Sequence, residues 1–222
     1  PETMHEQRHH RLAILREAGL YLVTDERQPP RERRRVVEAA LQAGVRVVQL
    51  RDKHALGGPL LREAQELVAL CEAYDALLIV NDRVDVAVAA GAHGVHVGQD
   101  DLPYGVVRQL VPPEMLVGVS ASTVPEAVEI DRAGADYIGF GAMFPTATKP
   151  DAEYAGPAML AAVLAAVRCP VVAIGGITHE NLPEVLAAGA RVVAVVSAVS
   201  TAPDPAEAAR SLLDAVRGTA QR

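Results

Sequence analysis

Val45-Arg46-Val47-Val48-Gln49-Leu50 runs straight into Arg51-Asp52-Lys53, then into an Ala/Leu/Glu-rich stretch over 57–74, then into Leu77-Leu78-Ile79-Val80 ahead of Asn81-Asp82. A near-continuous Val/Ile/Leu run predicts a strand covered on both faces, as parallel strands are. The stretch between the two runs has helical composition, so the segment predicts repeated strand–helix units.

The unit recurs in both directions. Strand-like runs fall at 20–24, 45–50, 77–80, 94–97, 116–119, 137–140, 171–174 and 192–196. Helix candidates lie near 30–43, 57–74, 83–91, 103–110, 124–133, 156–166, 180–188 and 204–217. Thr123 before Pro125, Thr178 before Glu180, and Asp204-Pro205 supply start signals. Gly44, Gly91, Gly134 and Gly189 sit where a left-handed cap ends a helix. Eight such units predict an α/β fold, a (β/α)8 TIM barrel, with an additional N-terminal helix at about 7–17. An open doubly wound sheet would more often show a Gly-rich turn after its first strand, and Tyr21-Leu22-Val23-Thr24-Asp25 leads into none. Residues 1–11, polar and His-rich, are expected to be a tail, and 12–222 one barrel domain. The third strand, with four apolar residues, is expected to be the weakest.

Composition excludes several classes. Half of the 222 residues are apolar and 22% are charged, enough to build a core. The formal net charge is −7, the wrong sign for a general nucleic-acid binder, and 3% aromatics without Trp leave little for base stacking. The longest apolar stretch, 158–167, is half of what a spanning helix needs, so no membrane partner is expected. Cys71 and Cys169, with no third ligand near, suggest two packed thiols in a reducing cytoplasm.

In a barrel of this kind the site lies at the carboxyl ends of the strands. The polar residues there are Gln49, Arg51 and Lys53; Asn81 and Asp82; Gln99, Asp100 and Asp101; Ser120 and Ser122; Thr146, Thr148 and Lys149; Gly175 and Gly176; and Ser197. Of 21 basic residues 19 are Arg, and the two lysines, Lys53 and Lys149, both fall on these loops. Lysine meets phosphate as a point charge and Arg51 offers a planar fork, so the set predicts an anion site. Asp82 and Asp101 end neighbouring strands, a pair suited to Mg²⁺ together with phosphate oxygens and water. Plainer readings compete. Asp82 could cap the helix that begins at Arg83, Asp100 could serve a turn, and Gly175-Gly176 could be only a tight turn. His93 and His96 straddle a strand start and do not read as a shared metal face. The Arg cluster over 31–35 reads as a solvated helix face.

The order Gln-x-Arg-x-Lys, Asn-Asp, Gly-Gln-x-Asp, Gly-Val-Ser, Pro-Thr-x-Thr-Lys, Gly-Gly-Ile and Val-Ser, over roughly 20–200, resembles the thiamine phosphate synthase family. The resemblance implies a cytoplasmic transferase. It would join 4-amino-2-methyl-5-hydroxymethylpyrimidine diphosphate to a thiazole phosphate, releasing pyrophosphate, with Mg²⁺ as cofactor. It implies that Gln49 contacts the pyrimidine, that Arg51, Lys53, Asn81, Ser120 and Lys149 hold the diphosphate, and that Asp82 and Asp101 carry the metal. Arg51, Lys53 and Lys149 would be catalytic through their charge. Thr146, Thr148, Gly176, Val196 and Ser197 would bind the thiazole phosphate. Ser122 stands where many relatives carry His, which argues against the similar thiazole tautomerases. A barrel that binds such phosphates without turnover is the alternative from another class. Oligomeric state is left open.

Overall fold

The computed structural model describes residues 3–146 and 154–220 of the chain. Eight strands, β1 Leu20–Val23, β2 Val47–Leu50, β3 Leu77–Asn81, β4 Gly94–Val97, β5 Leu116–Ala121, β6 Tyr137–Phe140, β7 Val171–Ala173 and β8 Val192–Val195, pair in chain order. All pairs are parallel, and β8 closes on β1. The expected (β/α)8 barrel is the fold. Between the strands run α2 Pro30–Gln42, α3 Gly57–Glu72, α4 Val84–Ala90, α5 Tyr104–Leu110, α6 Val124–Ala133, α7 Gly156–Ala166 and α8 Leu182–Ala187. Ahead of β1 lies α1 Met4–Glu17, and after β8 come α9 Ser197–Ser200 and α10 Pro205–Ala220.

The continuous apolar runs divide by alternation into two cores. Val47, Leu77 and Ile79 join Tyr21, Val23, Leu116, Tyr137, Val172 and Val192 inside the barrel. Their neighbours Val48, Leu50, Leu78 and Val80 pack outward with helix residues such as Val36, Leu60 and Leu67. Both faces of every such strand are therefore dry, which is why the sequence shows runs and no alternation.

The amino-terminal end is closed by α1. Thr3 and Glu6 form a capping box, with the Glu6 N–H donating to Thr3 Oγ1 at 3.2 Å and the Thr3 N–H to Glu6 Oε2 at 2.7 Å. Arg8 then donates from Nε to Asp136 Oδ1 at 2.9 Å, Arg11 donates to the Glu114 carbonyl at 2.9 Å, and Leu15 joins the inner core. The segment read as a tail over 1–11 is thus helical from Met4, because a cap and two arginine contacts anchor a stretch that its polarity alone left unplaced.

Two further expectations change. β3 has five residues, since Asn81 continues the ladder opposite His96, and β7 is the shortest with three. β7 stops where Gly175 and Gly176 take φ of +106° and +66° and turn the chain away. The one-turn α9 was not foreseen; Ser197 opens it and does not close β8.

Candidate active site

At the carboxyl ends of β1 and β2 the side chains hold one another. Buried Thr24 accepts the Arg51 N–H at 3.0 Å and fixes where the backbone leaves β2. Glu26 accepts the Lys53 N–H on Oε2 at 3.0 Å, and its Oε1 lies 3.0 Å from Arg51 Nη1. Burial raises the Glu26 carboxyl, but the Lys53 N–H and the Arg51 charge outweigh it and hold it below the usual range.

Asp52 points the other way. Its Oδ1 accepts the N–H groups of His54 and Ala55, each at 3.0 Å, and Oδ2 pairs with Arg33 Nη2 at 3.1 Å. Arg33 also donates twice to Glu63, at 2.7 and 2.6 Å, and once to the Gln28 carbonyl at 2.8 Å. The solvated-face reading of 31–35 fails at Arg33, which is 2% exposed. It lies on the buried stripe of α2 with Val36, Val37, Ala40 and Leu41, and the stripe rotates it inward while Arg34 and Arg35 stay outside. A buried guanidinium needs such partners, and these fasten the Arg51–Lys53 loop to α2 and α3.

Across the mouth, Lys53 Nζ lies 3.6 Å from Asp82 Oδ2. Burial pushes the Asp82 carboxyl up, and hydrogen bonding to Asp101 with its like charge pushes further, against the pull of Lys53 and Arg51. Asp101 is braced by the Gly98 N–H, which donates to Oδ2 at 2.7 Å. Asp82 sits at φ +62°, uncommon for a residue with a side chain. The capping reading of Asp82 is not met: Arg83 occupies the cap position of α4 and no side chain caps it. Asn81 ends β3 half-buried beside this pair.

Below the mouth the barrel interior carries a polar chain. Gln49 Nε2 donates to Tyr21 Oη at 2.8 Å, Tyr21 Oη lies 2.8 Å from Tyr137 Oη, Tyr137 Oη lies 3.0 Å from His96 Nδ1, and His96 Nε2 lies 2.7 Å from Ser120 Oγ. Burial pushes the Tyr21 hydroxyl up to about 12, against the bonds from Tyr137 and Gln49, and burial raises that of Tyr137 as well. Gly118 and Gly139 make room for the rings: an added Cβ at 118 would lie 2.2 Å from Tyr137 Cζ, and one at 139 would lie 2.9 Å from His96 Cε1. His93 faces elsewhere, accepting the Leu78 N–H at 2.9 Å on Nδ1.

The remaining candidates come from the other side of the barrel. Gly176, at φ +66°, packs so closely on the loop after β6 that an added Cβ would stand 2.7 Å from the Pro145 carbonyl oxygen. Its own carbonyl accepts from Asn181 Nδ2 at 2.8 Å. Thr146 is half-buried on that neighbouring loop, while Val196 and Ser197 lead into α9. Thr148 and Lys149 lie outside the described residues.

Sequence reasoning missed Thr24, Glu26, Arg33, Tyr21, Tyr137 and His96. The strand-end rule, applied to β1, would have found Thr24 and Glu26. Polar residues at inward-facing strand positions would have found the chain.

A model of the family described as thiamine monophosphate synthase matches residues 20–199. A curated thiamine-phosphate synthase of Methanospirillum hungatei is 45% identical over 200 residues, covering 89% of this chain and 97% of that protein. One from Chlorobium luteolum is 46% identical over 195 residues, covering 87% and 91%. A solved structure titled thiamine phosphate pyrophosphorylase from Pyrococcus furiosus superposes with a TM-score of 0.86 at 38% identity, covering 93% of this chain and 98% of that one.

Proposed function

Because the chain belongs to the thiamine monophosphate synthase family and is a transferase that forms thiamine phosphate, we propose that its substrates are 4-amino-2-methyl-5-hydroxymethylpyrimidine diphosphate and a thiazole phosphate. The observation that carries this reading is the meeting of Arg51, Lys53, Asp82 and Asp101 at one end of the barrel.

In this reading the diphosphate replaces carboxylates as the partner of the cations. Arg51 exchanges Glu26, and Lys53 exchanges Asp82, for phosphate oxygens, with Asn81, Ser120 and Lys149 completing the cradle. The bond from the pyrimidine methylene to oxygen breaks, its electron pair leaves with pyrophosphate, and the aminopyrimidine delocalises the positive charge. The lone pair of the thiazole nitrogen then forms the new carbon–nitrogen bond. Arg51, Lys53 and Lys149 stabilise the charge that grows on the departing oxygen, so no nucleophilic Ser or Cys is required. Gln49 orients the ring. Thr146, Thr148, Gly176, Val196 and Ser197 hold the thiazole phosphate at the last loops and α9, where barrels often bind phosphate.

Mg²⁺ fits the donor set. The like charge of Asp101 helps to push the Asp82 carboxyl up, and a divalent cation held by both carboxylates would relieve that repulsion. Among the described residues no group of three or more His, Cys, Asp or Glu could hold a metal by itself, so substrate oxygens and water would complete the shell of an ion on Asp82 and Asp101. Bound there, it would neutralise charge on the leaving group.

Among the described residues no helix is long and apolar enough to cross a membrane. We infer a cytoplasmic protein acting on small molecules, with no nucleic-acid partner.

The test is incubation of the purified protein with both substrates, following thiamine phosphate and pyrophosphate. Equal formation of both supports the reading. Binding of both substrates without product would make the chain a phosphate-binding barrel. Deuterium incorporation into the thiazole tautomer without thiamine phosphate would make it a tautomerase, which Ser122 speaks against, since a serine hydroxyl is a far poorer proton acceptor near neutral pH than the imidazole many relatives carry there.

A further inference from the structure

We propose that the buried chain from Gln49 through Tyr21, Tyr137 and His96 to Ser120 carries one hydrogen-bond polarity at a time and thereby couples the pyrimidine end of the site to the diphosphate end. Tyr21, Tyr137 and His96 are then positioning residues. The inference rests on the reading of Gln49 and Ser120 as contacts to those two parts of the substrate.

Proton counting gives the polarity. Gln49 Nε2 donates to Tyr21 Oη. A phenol has one proton, so Tyr21 donates its own to Tyr137, and Tyr137 donates to His96 Nδ1. An imidazole that accepts on Nδ1 carries its proton on Nε2 and donates it to Ser120 Oγ. Ser120, accepting from below, keeps its hydroxyl proton for an acceptor at the mouth, such as a phosphate oxygen. At the other end the Gln49 carbonyl and its second amide hydrogen match the donor and acceptor of an aminopyrimidine edge. The reverse polarity is equally complete. If Ser120 donates to His96, every link flips, the Gln49 amide turns its carbonyl toward Tyr21, and both ends present different groups.

Three features make the chain a two-state element. Gln49, Tyr21, Tyr137 and His96 are all buried, so water does not readily replace a missing link. Burial holds both phenols protonated, so neither sheds its proton to break the sequence. The surrounding interior is Val, Leu and Ile, and strands β5 and β6 carry glycine at 118 and 139 where any side chain would displace the rings. An anion at the mouth selects the polarity in which Ser120 accepts from His96 and donates its own proton outward to the anion, and that polarity sets the Gln49 amide to read the ring. The effect is reciprocal by linkage.

The test uses inorganic pyrophosphate and 4-amino-5-hydroxymethyl-2-methylpyrimidine as separate probes, titrated calorimetrically in Mg²⁺ alone and in each other's presence. In the native protein each should tighten the other about fivefold, within the usual range of coupling between sites. Tyr137→Phe and Tyr21→Phe each cut the chain while keeping the ring. Both should bring the coupling to within about twofold of none and leave the affinity for pyrophosphate alone within about threefold. Two cuts one link apart keep the test decisive if one variant folds poorly. Full coupling in either folded variant, or none in a native protein that binds both probes, overturns the proposal. A native protein that binds no pyrophosphate overturns the diphosphate assignment itself.

Discussion

Lys53 and Arg51 leave the same strand, yet substitutions at the two report different things. Lys53 is exposed and Arg51 is 8% exposed against Glu26. Lys53→Ala should lower kcat/KM by about 2 to 4 kcal/mol, by analogy with lost oxyanion donors, and leave Tm nearly unchanged. Arg51→Ala should lose as much activity and also some stability, because it strands a partly buried carboxylate. Wild-type kinetics with a large fall in Tm would make both residues structural. Glu26→Gln keeps an oxygen for the Lys53 N–H but removes the charge that competes for Arg51. Pyrophosphate should then inhibit at a concentration lower by roughly fivefold, corresponding to about 1 kcal/mol. Unchanged inhibition would show that Glu26 does not compete with the diphosphate. The cations were legible in the sequence because lysine is rare in this chain and both copies fall at strand ends. Glu26 was findable only as a polar residue just past β1, since its pairing with Arg51 from the next strand leaves no pattern in spacing. Arg33 was hidden for a related reason: among four arginines in five residues, only the register of α2 decides which one turns inward.

The strands and helices were legible almost completely, because strands covered on both faces read as unbroken runs and glycine marks helix ends. What the pattern could not show was where polar residues enter the barrel. Tyr21 and Tyr137 sit inside strands of aliphatic residues, where aromatic side chains read as core, and their hydroxyls find each other only after closure brings β1 and β6 to face across the interior. The glycines that permit this provide a test. Gly118→Ala would set a methyl against the Tyr137 ring and should destabilise by about 1 to 3 kcal/mol as an overpacked core does. Gly105, inside α5 with nothing within 4 Å of an added Cβ, should gain about 0.5 to 1 kcal/mol on replacement by Ala. Urea unfolding of the two variants checks both signs, and a stabilised Gly118→Ala would contradict the packing described for the interior.

The whole molecule separates stability from chemistry by its two ends. At the amino end, α1 with Arg8 and Arg11 closes the barrel; at the carboxyl end, charges of both signs converge on the loops. The sequence announced the second end through strand-end polar residues and missed the extent of the first, whose helix is set by a cap and by partners more than 100 residues away. In the function proposed for this protein the carboxyl end drives diphosphate departure through cations and a metal held by Asp82 and Asp101. The most direct measurement is the rate of pyrophosphate release, with both substrates present, as free Mg²⁺ is titrated in the native protein, Asp82→Asn and Asp101→Asn. The native rate should collapse in chelator and return on adding Mg²⁺, and each variant should need more metal and turn over at least about tenfold more slowly. Full activity in chelator, or identical Mg²⁺ curves in all three proteins, would contradict it.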